Sequence, residues 1–363
     1  MSNFDIIFGM KTDTSRRNFL KCAALAAPAA LTGCGTAGAC RGAGGQPLKI
    51  CVFADLHYYP GVWANTDDTS FLERILARAE AEKCDFVIHL GDFMHGTWTE
   101  KDKAFLKLYE SCRLPTYHIL GNHDQDWCEW RETVEAYRMP DGHYSFDCGG
   151  FRFVIADPNY FCNEPGQFVH HSKGNYFKRA KGSTINWIPP EQLEWMRSVI
   201  VGSPLPCVVL SHQSFERPPA AGEGVMNQED VRAIFREANE KRPGTVRVVM
   251  NGHYHTDYLR VLDNILYWDV ASANFQWFDD THAKYPAEFL KLHTWAQHTL
   301  AWKDPLSAIL TLWPDGRVRI DGSKSEFLFG VTPEIAGLPP YDACRRYTLP
   351  IIRSADLTLN YGV

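Results

Sequence analysis

"TVRVVMNGHYH", Thr245 to His255, is a nearly unbroken apolar run of strand length that stops at a glycine and two histidines spaced one residue apart. An apolar run without polar alternation reads as a strand covered on both faces. The arrangement recurs in "PLKICVFADLH" (47–57), "DFVIHLGDFMH" (85–95), "PTYHILGNHD" (115–124) and "PLPCVVLSHQ" (204–213). Between these runs, residues 68–83, 100–112, 126–138, 190–201 and 228–241 carry apolar side chains at three- and four-residue spacing, which predicts helices. Strands alternating with helices imply parallel sheet, whose ligands collect at the carboxyl ends of the strands. All five polar loops fall there.

Other segments read as antiparallel strands: "GHYSFDCGG" into "FRFVIADPN", then "YLRVLDNILYWDVAS", and "SAILTLWPDGRVRIDG" with its Pro314-Asp315-Gly316 turn. The mixture predicts an α/β fold of two mixed β-sheets packed face to face with helices outside. Residues 158–188, rich in Asn, Gly, Lys and His, read as an insertion loop rather than core. A further helix is expected at 286–302, with His293 and His298 on a packing face, and the segment beyond about 324 as an extension closing across the domain. The expected division is 47–324 for the catalytic domain and 325–363 for the extension.

The 363 residues are 45% hydrophobic and 22% charged with a formal net charge of −6, the composition of an ordinary globular protein. No basic stripe exists to neutralise a phosphate backbone, so a nucleic-acid polymer is not expected as partner. Eleven cysteines without paired CxxC spacing give no zinc-ribbon or thioredoxin signal.

The first residues read as targeting rather than structure. "SRRNFLK", Ser15 to Lys21, resembles a twin-arginine export signal, and the alanine-rich stretch after it is too short to span a bilayer stably. "LTGC", Leu31 to Cys34, resembles a lipobox; the alternative is simple cleavage after Thr36 to Ala39. Residues 1–33 are thus expected to be a signal peptide and 34–46 a flexible Gly/Ala tether. The implied location is the periplasm, with a lipid anchor at Cys34 holding the chain to the membrane. Export permits disulfides among the remaining cysteines.

The chemistry lies in the loop residues taken together: Asp55 and His57, Asp92, Asn122, His123 and Asp124, His212, His253 and His255. Carboxylate, amide and imidazole form the donor set of hard-to-borderline divalent ions, and the absence of thiolates argues against a structural zinc knot. Two metals about 3.5–4 Å apart need a bridging carboxylate and ligands from several strand ends. Alone, "GNHD" could be a turn and "GHYH" a hairpin corner; their joint occurrence after strands points to a site. If "MNGHYH" leaves the sheet extended, His253 and His255 point the same way, as do Asp55 and His57. Gly91, Gly121 and Gly252 would permit the tight backbone of each loop.

In order, these blocks resemble the calcineurin-like metallophosphoesterase superfamily, whose pattern is D-x-H, G-D, G-N-H-D/E, H and G-H-x-H. The resemblance spans about residues 48 to 270 and implies the four-layer α/β/β/α sandwich. It implies that Asp55, His57 and His255 hold one divalent ion and Asn122, His212 and His253 the other, with Asp92 bridging; Mn, Fe and Zn are all compatible. His123 would steady the phosphoryl group or protonate the leaving oxygen, with Asp124 orienting the loop. Attack on phosphorus would come from a metal-bridging hydroxide, without a covalent phosphoenzyme. Where the purple acid phosphatase branch has a tyrosine three residues after the bridging Asp, this chain has His95, so a coloured Fe(III)-tyrosinate site is not expected. His95 is read either as a residue behind the ligands or as a further ligand.

Candidate substrate contacts are Asp157, Asn159 and Tyr160 in "IADPNYF", Arg217, Tyr254 and Trp127. The expected substrate is a small phosphoester, cleaved as a phosphomonoester. The alternatives are a phosphodiesterase or pyrophosphohydrolase on nucleotides or lipid head groups, capped by 158–188, and a membrane-tethered binding protein without turnover.

Overall fold

The computed structural model describes residues 46–219, 224–277, 284–337 and 349–361, so the expected leader and all but the last residue of the tether lie outside the described residues. The five apolar runs fold as strands Leu48–Phe53, Phe86–His89, Thr116–Tyr117, Cys207–Leu210 and Val246–Asn251. One six-stranded sheet runs, edge to edge, through Ala355–Thr358, Arg317–Asp321, Ala308–Leu312, Leu48–Phe53, Phe86–His89 and Thr116–Tyr117. Its last three strands are mutually parallel and the others antiparallel. The second sheet, also six-stranded, runs Tyr258–Leu262, Ile265–Asp269, Val246–Asn251, Cys207–Leu210, Phe151–Ile155 and Tyr144–Cys148, with hairpins at both edges.

Side chains alternate across each strand and thereby build four layers. Ile50, Val52, Ile88 and Leu310 face Phe153, Val208, Val248 and Trp268 between the sheets. Cys51, Phe53, Val87 and Ile309 point the other way, onto helices Ser70–Ala81 and Glu100–Glu110. Val154, Val209 and Val249 meet helices Pro190–Val201 and Gln228–Lys241. The first helix buries Phe71, Leu72, Ile75, Leu76 and Ala79, the spacing that predicted it. The second starts at a capping box in which Thr99 Oγ1 accepts from Asp102 N–H and the Asp102 carboxylate accepts from Thr99 N–H. No helix among the described residues is long and apolar enough to cross a membrane.

Four expectations are corrected. The helix expected at 126–138 is a 3-10 turn, His123–Gln125, followed by the short helix Trp130–Ala136, because Asp126 turns back to bond His123 and Glu129 is extended. The helix expected at 286–302 ends at Leu292: His293 leaves helical dihedrals to donate from Nδ1 to the Trp63 carbonyl, and Thr299–Ala301 pairs with Phe275–Trp277 as a strand. The insertion is no open loop, since Tyr160–Cys162, Phe168–His170 and Thr184–Ile185 form a three-stranded sheet around buried Phe161. The segment beyond 324 enters the first sheet as its edge strand Ala355–Thr358 instead of lying across it.

Candidate metal centre

Strands from both sheets end at the same place. Asp55 N–H donates to the Gly91 carbonyl (3.1 Å) and His57 N–H to the Asp92 carbonyl (2.9 Å), stitching the first two loops together. Across the sheets, His253 N–H donates to the Asp55 carboxylate at 3.0 Å. The ligand loops are not extended as the two-residue spacing suggested. Asp55, His57, Asp92, His253 and His255 all have positive φ, from 48° to 65°. A residue with a Cβ pays about 1–3 kcal/mol for such a backbone, which clusters where function requires it. The glycines serve a different end from the one expected at two positions of three. Gly91 does have a φ of 93°. Gly121 and Gly252 instead leave room: a Cβ on Gly121 would collide with the Asp92 backbone and carboxylate, and one on Gly252 would lie 2.6 Å from Asp55 Oδ2.

Two triads result at the strand ends, Asp55, His57 and His255, and Asp92, His212 and His253, each with donor atoms within 4.8 Å of one another, and His95, His123 and Asp126 form a third such group beside them. His255 Nε2 lies 3.3 Å from Asp55 Oδ1 and 3.2 Å from His57 Nε2. His212 Nε2 lies 3.1 Å from Asp92 Oδ2 and 3.3 Å from His253 Nδ1. Asp92 Oδ2 is also 3.6 Å from His57 Nε2, so this carboxylate stands between the triads. Asn122 precedes His123, whose backbone N–H donates to Asp92 Oδ1 at 2.8 Å.

Hydrogen bonds behind the ligands decide which nitrogen faces inward. His255 Nδ1 sits 2.7 Å from the Phe275 carbonyl and His212 Nδ1 2.7 Å from the Leu90 carbonyl. Carbonyls only accept, so both Nδ1 atoms carry the proton and both Nε2 atoms present lone pairs. The His255 Nε2 lone pair also accepts from the Trp277 indole N–H at 3.1 Å, whereas the His212 Nε2 lone pair faces the Asp92 carboxylate at a distance that needs a positive charge between them. In the protein alone a proton meets that need: burial would lower His212, but Asp92 outweighs it and lifts it to about 9. A divalent ion takes the place of such a proton, and the donor set fits a pair of them.

His95 belongs to a hydrogen-bonded chain beside the triads. The Trp63 indole N–H, which can only donate, lies 3.2 Å from His95 Nε2, and His57 Nδ1 is 3.2 Å from the same atom. His95 Nε2 is therefore the acceptor, and its Nδ1–H donates to Asp126 Oδ2 at 3.2 Å. Both nitrogens are thus spent, which favours the reading behind the ligands. Asp126 Oδ2 also accepts from His123 Nδ1 at 2.6 Å, and Asp126 Oδ1 accepts from the Tyr176 hydroxyl at 2.8 Å. Burial alone would depress His123, but Asp126 and Asp92 lift it to about 9. Its Nδ1 tied, His123 has Nε2 for a reacting oxygen.

Asp124 does not face that oxygen. Its carboxylate accepts from the backbone N–H groups of Gly121, Asp92, Phe93 and Met94 and from the Tyr137 hydroxyl, all at 2.8–3.0 Å. It fixes the loops that carry Asp92 and His123, a positioning role and not a catalytic one.

The expected substrate contacts are placed in structural work. Asp157 Oδ2 pairs with His170 Nε2 at 2.7 Å, Asn159 Nδ2 donates to the Leu120 carbonyl at 2.9 Å, and the Tyr160 ring packs edge-on against His170, so these three fasten the insertion. The Arg217 guanidinium bonds buried Asp269 and lies 3.6 Å above the Tyr254 ring. Trp127 is 44% exposed. Reading the residues alone missed Asp126 and Tyr176. Asp126 was detectable, because residues three apart in a 3-10 turn lie on one side; Tyr176 comes from the insertion without any motif.

A family model described as calcineurin-like phosphoesterase matches residues 48–257. The chain is 25% identical over 274 residues to the "Probable inactive purple acid phosphatase 14" of Arabidopsis thaliana, an alignment covering 58% of this chain and 66% of that relative. It thus spans just under two thirds of that relative's length. The fold resembles the crystal structure of a dimetal phosphatase from Danio rerio, at a TM-score of 0.52 and 16% identity, covering 87% of this chain and 99% of that one. A purple acid phosphatase from Lupinus luteus seeds aligns at a TM-score of 0.44 and 14% identity over 85% of this chain and 54% of that one. With the family match over more than half of its length and two triads facing one bridging-type carboxylate, the chain belongs to the calcineurin-like phosphoesterase family.

Proposed function

We propose that the protein is an exported, binuclear-metal phosphoesterase that hydrolyses small phosphomonoesters. The observation that carries this is Asp92 standing between two triads, with His123 held beside it by Asp126. Asp55, His57 and His255 would hold one ion, Asn122, His212 and His253 the other, and Asp92 both. Such ions supply Lewis acidity toward phosphoryl oxygens and acidify water to a nucleophile at neutral pH. His123 donates a proton from Nε2 to the departing oxygen while Asp126 keeps Nδ1–H in place, and Asp124 holds the loops still. The complete donor set weighs against a binding protein without turnover. A phosphodiesterase or pyrophosphohydrolase is the second reading, favoured by the insertion that brings Tyr176 to the site.

Export is supported by the leader motifs, Ser15 to Lys21 and Leu31 to Cys34. The test is hydrolysis of p-nitrophenyl phosphate beside bis-p-nitrophenyl phosphate after loading with Mn(II), Fe(II) or Zn(II), with His123→Ala as control. Monoester turnover lost in the variant supports the phosphatase; diester preference supports the second reading. No turnover despite bound metal returns the binding protein.

A further inference from the structure

His171 and Gln213 are both fully buried, and each leaves polar atoms without a partner. Neither ring nitrogen of His171 is hydrogen-bonded, and neither is Gln213 Oε1. Unpaired buried groups of this kind are rare and costly, so each calls for a ligand or a trapped water. Both residues border Asn159. His171 N–H donates to the Asn159 carbonyl at 2.8 Å, and Gln213 Nε2 donates to Asn159 Oδ1 at 2.9 Å. Both lie next to Asn122: Gln213 Nε2 is 3.5 Å from Asn122 Oδ1, and the His171 ring stacks at 4.4 Å on Tyr176, whose hydroxyl is 3.3 Å from Asn122 Nδ2.

The chemistry of the orphans narrows what fits. Burial holds His171 neutral, with one N–H donor and one acceptor. Gln213 Oε1 only accepts. A phosphoryl oxygen also only accepts, so it would leave the Gln213 oxygen facing another lone pair. A hydroxyl both donates and accepts, so one can accept from the His171 N–H and donate to Gln213 Oε1, while the second His171 nitrogen takes the proton of another. We infer that His171 and Gln213 form a subsite for hydroxyl groups on the alcohol portion of the substrate, so that the preferred phosphoester carries a polyol of glycerol or sugar type. This rests on the phosphoesterase reading and adds the substrate class to it. Both side chains are closed to solvent, so admission requires the 160–185 sheet to shift from the domain.

The test pairs two non-hydrolysed probes on Mn-loaded protein, 2,3-dihydroxypropylphosphonate and propylphosphonate, by calorimetry. The diol is expected to bind on the order of tenfold tighter or better, because losing a hydrogen bond inside a polar pocket strands its partners. In His171→Phe and in Gln213→Met that ratio should fall toward one, with unfolding midpoints showing that each variant is folded; if one is not, the other decides. Equal binding of the two probes to the wild type, the result expected of a trapped water, overturns the inference, as does a ratio that survives in the variants. Turnover of propyl phosphate and glycerol 1-phosphate separates the two failures. Neither cleaved means the phosphomonoesterase reading is wrong, whereas both cleaved at equal rate means that only the subsite is.

Discussion

His123 Nδ1 lies 2.6 Å from Asp126 Oδ2, three residues on in the same tight turn, while His95 reaches the same oxygen from the loop after Asp92. The pair ties His123 Nδ1–H and so orients the ring whose Nε2 is proposed to carry the proton. Replacing Asp126 by Asn keeps the shape and removes the charge. We predict a fall in kcat of about a hundredfold, the low end of what positioned acids contribute, with metal content unchanged. Metal analysis beside steady-state rates checks it; a parallel loss of metal would assign Asp126 to the coordination shell instead.

Gly121 has no room for a methyl group, since a Cβ would meet the Asp92 carboxylate and backbone. Gly121→Ala should displace Asp92, abolish binding of both ions and destabilise the fold by roughly 1–3 kcal/mol as overpacking does. Thermal unfolding with and without Mn(II) reads both effects, and a normal metal-induced rise in Tm would contradict the prediction.

Asp92 belongs to one triad and also lies 3.6 Å from His57 of the other, whereas His255 belongs to one alone. Asp92→Ala is therefore expected to bind neither ion tightly, while His255→Ala retains one. Equilibrium dialysis gives the stoichiometries, and equal losses in the two variants would show that the ions bind as a single unit.

His89 and His118 give a pH dependence away from the ligands. Gly91 N–H donates to His89 Nδ1 at 3.2 Å, so His89 Nε2–H is the donor to His118 Nδ1 at 2.8 Å. Burial holds His118 neutral, its pKa lowered from 6.5 to about 3, and pushes His89 well down too. A depressed folded pKa means that the unfolded chain binds more protons between these values. Stability from this source is complete above about 6.5 and declines as pH falls toward 3. His118→Phe should flatten that acid limb in urea unfolding between pH 7 and 4, roughly 1.4 kcal/mol per pH unit for each proton no longer taken up; an unaltered slope would place the acid sensitivity elsewhere.

Much of this was legible because the sequence repeats one sentence five times, a buried strand followed by metal-donor residues. Burial on both faces leaves an unmistakable apolar run, and the loop residues are few and chemically distinctive. The ligand backbones were not legible: residue spacing suggested extended loops, whereas cross-loop bonds such as His253 N–H to Asp55 impose left-handed turns that no local propensity favours. Gly252 shows the same limit, since its need for space comes from Asp55, nearly two hundred residues away in the chain. The insertion sheet failed for another reason. Its polar, glycine-rich composition is that of a loop, and its order comes from tertiary anchors such as Asp157 to His170.

Strand order in the first sheet also sets a timetable. Leu48–Phe53, which delivers Asp55, pairs on one side with Phe86–His89 but on the other with Ala308–Leu312, whose far neighbours end at Thr358. Half of the surroundings of that strand thus come from residues 308–312, far along the chain, and contacts of such long range close slowly. The first of the two sheets that build the candidate centre is completed only when residues 355–358 pair with its strand Arg317–Asp321, so the surroundings of Asp55 depend on contacts of long range.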